Sequence, residues 1–269
     1  MSRMVFSLSI ILLGLIYINT ILWLIGSWIY NSYYSHGFIV LAVSSYFAYK
    51  IRRRESDTEM NPAGLYIISL SLLVHVIASL WNFEYISALS LLTAIYGVIM
   101  TFYGSNAAKR LSFPLFFMIF AVPFPLYNLT NQLEVLSAQA SVNFVRLFGI
   151  EAGNIGAEIH LKTASFVVGA PCSGIRSIIS LLTLSTLYTY LINDRMWVKG
   201  ILIALAPLLA FFANVTRISL ILAIAELYGR DVALGFFHYA SDLLLFISAL
   251  IMLMLFRRLM KCMTSNQLL

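Results

Sequence analysis

Val167-Val-Gly-Ala-Pro-Cys-Ser-Gly-Ile-Arg-Ser177 decides how this chain is read. The longest stretch unsuited to crossing a membrane lies before it, and the apolar run Ile178–Ile192 follows it. Cys172, one of two cysteines, therefore stands where the chain leaves water and enters lipid, near a helix start. Backbone N–H groups at a helix N-terminus carry partial positive charge and favour thiolate over thiol. Arg176 follows one helical turn on, on the same expected face. A thiol so placed can be a nucleophile. Pro-Cys-Ser-Gly can also simply open a helix with a small buried cysteine.

The chain is 61% hydrophobic and 10% charged, with a mean hydropathy of +0.91. Soluble domains carry about 25% charged residues. The expected class is an all-α polytopic membrane protein, a single integral membrane domain over residues 1–269. The net charge of +6 does not point to nucleic acid, because the basic residues fall between apolar runs. No Cys/His cluster or His-Glu-x-x-His pattern suggests zinc, and no metal or organic cofactor is expected.

A crossing helix needs about 20 apolar residues. Eight runs qualify or nearly so: Met4–Gly26, Phe38–Ile51, Pro62–Leu80, Tyr85–Tyr103, Leu111–Leu129, Cys172–Ile192, Lys199–Thr216 and His238–Phe256. The first is too long for a signal-peptide core and reads as a retained span. The fifth carries Pro114, Pro123 and Pro125, and Pro-Phe-Pro should unwind it, freeing carbonyls that neighbours must satisfy. His75 in the third is expected to bond a neighbouring helix. Residues 131–171 read as an extracytoplasmic insertion. In it, Leu133, Leu136, Ala140, Phe144, Leu147 and Phe148 mark an amphipathic helix, and Glu158–Lys162 with Ser165–Val168 a β-hairpin. Residues 218–237, broken by Glu226, Gly229, Arg230, Asp231 and Gly235, read as interfacial or re-entrant.

Charge orients the chain. Arg3, Lys50, Arg52, Arg53, Arg54, Lys109, Arg110, Arg195, Lys199, Arg257, Arg258 and Lys261 all fall on one side, leaving Arg146, Lys162, Arg176, Arg217 and Arg230. The positive-inside rule then puts both termini in the cytoplasm. Cys172, Arg217 and His238 come to the outer ends of consecutive spans, and Cys262 to the opposite side, where it does not pair with Cys172.

A cysteine nucleophile needs a base or cation nearby, and a tetrahedral intermediate needs its oxyanion held. His238 can serve as acid and base, and Arg217 as a permanent planar cation. Singly, each has a plainer reading: Arg217 as a snorkelling arginine, His238 as an ordinary helix-start residue. Ionisable groups at mid-membrane cost about 2.5–3.5 kcal/mol, which makes function the default hypothesis for them. The residues thus reach a candidate Cys–His–Arg acyl-transfer site facing outside.

The chain resembles the exosortase/archaeosortase family of membrane cysteine transpeptidase-like enzymes. Ala170-Pro-Cys-Ser-Gly-Ile-Arg-Ser177 looks like its cysteine motif, Asn214-Val-Thr-Arg217 its Asn-x-x-Arg motif, and His238 its histidine. Ser35-His-Gly-Phe38 and the run from Pro114 through Pro123-Phe-Pro125 to Gly153–Gly156 resemble further family features. The resemblance implies Cys172 as nucleophile, His238 as acid/base and Arg217 as oxyanion stabiliser, with Asn214 and Arg176 in support. It implies exported proteins as partners, each with a C-terminal tail of signature motif, transmembrane helix and basic cluster. It also implies an acceptor, a lipid or glycan, for the released acyl group. Glycine often stands four residues after the family's histidine; here it is Asp242, which shares a helix face with His238 and could orient it. Two other functions remain open: an intramembrane cysteine protease that only hydrolyses, and a small transporter or flippase with no covalent step.

Overall fold

The computed structural model describes residues 2–52, 60–162, 164–169 and 172–265, without the side chains of 2–3, 52, 234, 236–245 and 261–265. The chain forms two compact units, Met1–Pro125 and Leu126–Leu269. It is a helical membrane protein with one small sheet. By length and composition, three of the described helices can cross a membrane, or four if one bent pair counts as a single span.

The first unit opens with that pair, α1 (Ser2–Ile16) and α2 (Ile18–Tyr30), bent by 69° at a position expected to be mid-span. Tyr17 marks the bend. It is fully buried, and its hydroxyl donates to Ser71 O at 3.2 Å and lies 3.0 Å from Ser90 Oγ. α3 (Gly37–Arg52), α4 (Ala63–Leu80) and α5 (Glu84–Phe117) follow. α5 is two arms, because Gly104 sits at φ 83°, ψ 173°, where a side chain would be strained. The chain breaks where a loop over Gly104–Arg110 is expected, but the break is one residue long, and 105–110 are already helical.

α1 and α4 run against the first arm. Thr20 Oγ1 and His75 Nδ1 both meet Ser87 Oγ, at 2.6 and 2.8 Å, and Ser71 Oγ meets Thr93 Oγ1 at 2.8 Å. His75 does bond a neighbouring helix. The Tyr17 ring lies 4.0 Å from the His75 ring, centroid to centroid.

The second arm ends earlier than the expected Leu129. α5 stops at Phe117, a 3-10 turn covers Met118–Ala121, and the chain is extended to Pro125. Proline explains this. Pro125 has no N–H to give the carbonyl four residues back, Ala121 O, and Trp28 Nε1 donates to it instead at 2.7 Å. Phe124 N–H turns to the Tyr34 hydroxyl at 3.0 Å, and Phe120 O meets His36 Nε2 at 3.1 Å. Trp28 at the end of α2 and Tyr34 and His36 in the turn before α3 thus serve the backbone around the prolines.

The second unit begins with α6 (Tyr127–Arg146). Its packed face is Ser137, Ala138, Ser141, Val142 and Val145, not the large apolar stripe; Leu136, Phe144, Leu147 and Phe148 remain exposed. Partial burial holds the Glu134 carboxyl above the usual carboxylate range. Three strands follow instead of a hairpin: β1 (Ala152–Ile155), β2 (Glu158–Leu161) and β3 (Ser165–Val167), antiparallel in that order. β1 holds Gly153 and abuts the turn at Gly156, so it reads as turn in the sequence. Ala152, Ile159 and Val168 turn inward, against Val142 and Val145 of α6 and Ile218 and Leu222 further on.

α7 (Ile175–Leu191) and α8 (Met196–Tyr228) come next, then α9 (Arg230–Leu234) and α10 (Phe236–Ser265). α7, α8 and α10 share a core that includes Leu181, Leu202, Ala206, Ala249 and Leu253. The break expected after Arg217 is absent: α8 runs 33 residues without interruption, and 218–228 belong to it. The chain turns only at Gly229, φ 90°. Ile218, Ile221, Leu222 and Ala225 are buried on its inner face, which holds the helix together past the charges.

Candidate active site

Cys172 is not in α7. It lies in a short turn between β3 and that helix, half-buried, with its N–H donating to Gly169 O at 2.8 Å. Gly174 separates it from the helix at φ 84°. A side chain there would be strained, and its Cβ would come within 3.0 Å of Asn214 Cγ. This left-handed step takes Cys172 off the helical register, so the same-face relation to Arg176 does not hold. Arg176 is exposed.

The cysteine turn is bound to α8 by one side chain. Asn214 Nδ2 donates to Cys172 O at 2.8 Å and lies 3.3 Å from Ser137 Oγ of α6. Ser137 Oγ in turn donates to Ser173 O at 3.3 Å. Asn214 is 4% exposed, and Ser137 and Ser173 are fully buried. Two successive carbonyls of the turn, Cys172 and Ser173, are therefore held from α8 and α6. Ser173 Oγ accepts from Ile175 N–H at 3.4 Å, across the left-handed Gly174 that precedes α7.

α6 is fastened along the same line. Ser141 Oγ donates to Val215 O of α8 at 3.3 Å, and Ser219 Oγ of α8 reaches Ser141 O at 3.5 Å while bonding Val215 O of its own helix at 2.8 Å. Sequence reasoning missed Ser137, Ser141 and Ser219. The available signal was spacing: Ser137 and Ser141 stand four apart beside Ala138 and Val142, a stripe of small residues of the kind that lets membrane helices approach closely.

Arg217 follows Asn214 by one turn of α8 and is 4% exposed. Both line a small cavity with Ser177 of α7 and Phe246 and Ala249 of α10. Burying a guanidinium this deeply is expensive unless it is partnered, which singles out the spot. The structure thus ties the Cys172 backbone to Asn214, one turn of α8 before Arg217; the residues lining the cavity beside Arg217 do not include Cys172. The side chains of His238 and Asp242, on the first turns of α10, lie outside the described residues, as does that of Cys262. His160 lies on the sheet, its Nδ1 2.9 Å from Ser165 Oγ. Among the described residues, no group of three His, Cys, Asp or Glu could hold a metal ion.

The sequence model of the transmembrane exosortase family matches residues 28–255. No curated protein and no solved structure matches the chain. The family match runs from the end of α2 deep into α10 and takes in the cysteine turn, the Asn214–Arg217 turn of α8 and His238. On that extent, the chain belongs to the transmembrane exosortase family of membrane protein-sorting enzymes.

Proposed function

We propose that this chain cleaves the C-terminal sorting tail of exported proteins and passes the acyl group to an acceptor. Cys172 is the nucleophile, Arg217 the oxyanion ligand and His238 the acid and base. The observation that carries the reading is the 2.8 Å bond from Asn214 Nδ2 to Cys172 O, which ties the cysteine turn to the helix that bears Arg217.

The thiolate of Cys172 attacks the scissile carbonyl, and the carbonyl π electrons move to oxygen. The Arg217 guanidinium neutralises that oxyanion in a site of low dielectric. Collapse expels the amine of the tail, which takes a proton from His238, and leaves a thioester on Cys172. An amine, a hydroxyl or water then gives its proton to His238, attacks the thioester and frees the thiolate. Helical spacing puts positions 238, 242, 246 and 249 of α10 on one stripe. Positions 246 and 249 of that stripe border the cavity beside Arg217.

The membrane path in this reading has eight crossings: the α1–α2 pair, α3, α4, the two arms of α5, α7, α8 and α10. Both termini lie in the cytoplasm. Arg217 stands about 31 Å along α8 from Met196 at 1.5 Å per residue, close to the ~30 Å thickness of the hydrocarbon. With Met196 at the cytoplasmic boundary, Arg217 reaches the outer one.

The test compares surface proteins by mass in cells carrying the wild-type chain and Cys172→Ala at matched expression. Proteins with one C-terminal hydrophobic helix and a basic end should lose their tails only with the wild type. The added mass then names the acceptor, or shows water and therefore hydrolysis. Identical C-termini in the two strains would overturn the reading.

A further inference from the structure

β3 is one of the two edge strands of its sheet and, among the described residues, pairs only with β2. The register determines which of its backbone groups are used. Leu161 N–H donates to Ala164 O at 2.8 Å, and Val168 N–H to Ala157 O at 2.9 Å. Alternation along an antiparallel ladder then turns the N–H and C=O of Phe166 toward β2 as well. Ser165 and Val167 turn theirs the other way, to the open edge. Gly169 N–H takes up Val167 O at 3.0 Å. Ser165 N–H, Ser165 C=O and Val167 N–H are left to face outward.

Folded proteins blunt such edges with lysine, proline, a bulge or a covering segment. Ser165-Phe-Val167 has neither lysine nor proline, and Val167 is 72% exposed. The edge is nevertheless firmly seated. Phe166 and Val168 pack with Ile159 against Ile218 and Leu222 of α8, the helix that also carries Asn214 and Arg217. Beyond β3, two tight turns lead to the thiol: Gly169 N–H to Val167 O, then Cys172 N–H to Gly169 O. Even fully extended, five residues reach at most about 17 Å, and these turns shorten that span.

We infer that β3 is a docking edge: the extended residues adjoining the scissile bond of an exported protein add to it as a fourth strand, hydrogen-bonded to Ser165 and Val167. Strand addition takes its affinity from main-chain bonds and reads alternate side chains. It presents a peptide extended, as attack by a nearby thiolate requires. The occupant follows from position, since the edge leads without an intervening element into the Cys172 turn. The inference rests on the proposed tail cleavage and adds to it how the tail is held.

Two experiments test it. In cells, tail processing is compared among wild type, Cys172→Ala, Val167→Pro and Ile155→Ala, each as the full chain. Val167→Pro removes one outward N–H and leaves the ladder to β2 intact, as edge prolines do; it should slow processing at least tenfold, while Ile155→Ala, exposed on the far strand β1, stays within twofold. Second, the wild-type chain in lipid vesicles is given a synthetic peptide spanning the cleavage point of the most completely processed protein. Backbone N-methyl groups are placed on the peptide one position at a time. Cleavage should fall at least tenfold at alternate positions and stay within twofold between them. A flat N-methyl profile overturns the inference even if Val167→Pro fails to fold. So does full processing by Val167→Pro, including a result in which that variant only dissolves a dimer of this chain. If Cys172→Ala itself processes tails normally, the cleavage reading falls, and this inference falls with it.

Discussion

In Met1–Pro125 a set of buried polar side chains bond to one another across helices: Thr20 and His75 to Ser87, Tyr17 to Ser90, Ser71 to Thr93. In Leu126–Leu269 the buried polar side chains bond chiefly to backbone: Asn214 to Cys172 O, Ser137 to Ser173 O, Ser141 and Ser219 to Val215 O. The chemistry is the same, but the partners differ. Side chains satisfied by side chains fix how helices pack. Asn214 and Ser137, spent on main-chain carbonyls, fix the course of the cysteine turn, and Ser141 ties α6 to α8. A buried hydroxyl in the first unit should therefore matter to stability, and one in the second to the chemistry at Cys172.

The widest gap between the units should come from Arg217→Lys. A lysine keeps the charge but loses the planar fork, so turnover should fall about a hundredfold, as when one oxyanion donor is lost. Folded yield should hold, and single-turnover kinetics on the processed tail would check this. Asn214→Ala comes next. It strands the Cys172 carbonyl, and turnover should fall about tenfold, on the scale of one unmet buried hydrogen bond. The alkylation rate of Cys172 should change with it, and the thermal midpoint little. Ser87→Ala reverses the pattern. It removes the shared partner of Thr20 and His75, so stability in detergent should drop by about 1–2 kcal/mol while turnover stays within twofold. Should Ser87→Ala abolish turnover at unchanged stability, the division of labour between the units is wrong.

Much of this was legible in the chain itself. Hydropathy gave the membrane class and a break near Gly104, read as a loop to Arg110 where the structure breaks at one residue; Pro-Phe-Pro marked unwinding in a span expected to reach Leu129, whose helix ends at Phe117. The family resemblance rested on motifs that the family match covers. Three features were not legible, each for a physical reason. α8 continues past Arg217 because helix propensity and an apolar inner face persist beyond the point where charges appear; charge marks a change of surroundings, not the end of a helix. The packed face of α6 is built of serine, alanine and valine, which a search for large apolar residues does not mark; that search finds the exposed stripe on the other side. β1 was hidden by Gly153 within it and Gly156 just beyond it. Ser137 belongs to no motif and acts only through the fold, at a separation of 77 residues from Asn214.

α8 is also a ruler. Its 33 residues extend about 50 Å, well beyond the hydrocarbon it would cross. With no kink between Arg217 and the sheet platform at Ile218 and Leu222, side chain and sheet rise or sink as one body. Acyl-chain length then becomes a setting of the enzyme. Short-chain lipids would lift the guanidinium into headgroup water and weaken its hold on an oxyanion, while long-chain lipids would draw the docking edge down toward oil. Given the roles proposed for Arg217 and β3, the unbroken helix predicts an optimum at intermediate bilayer thickness.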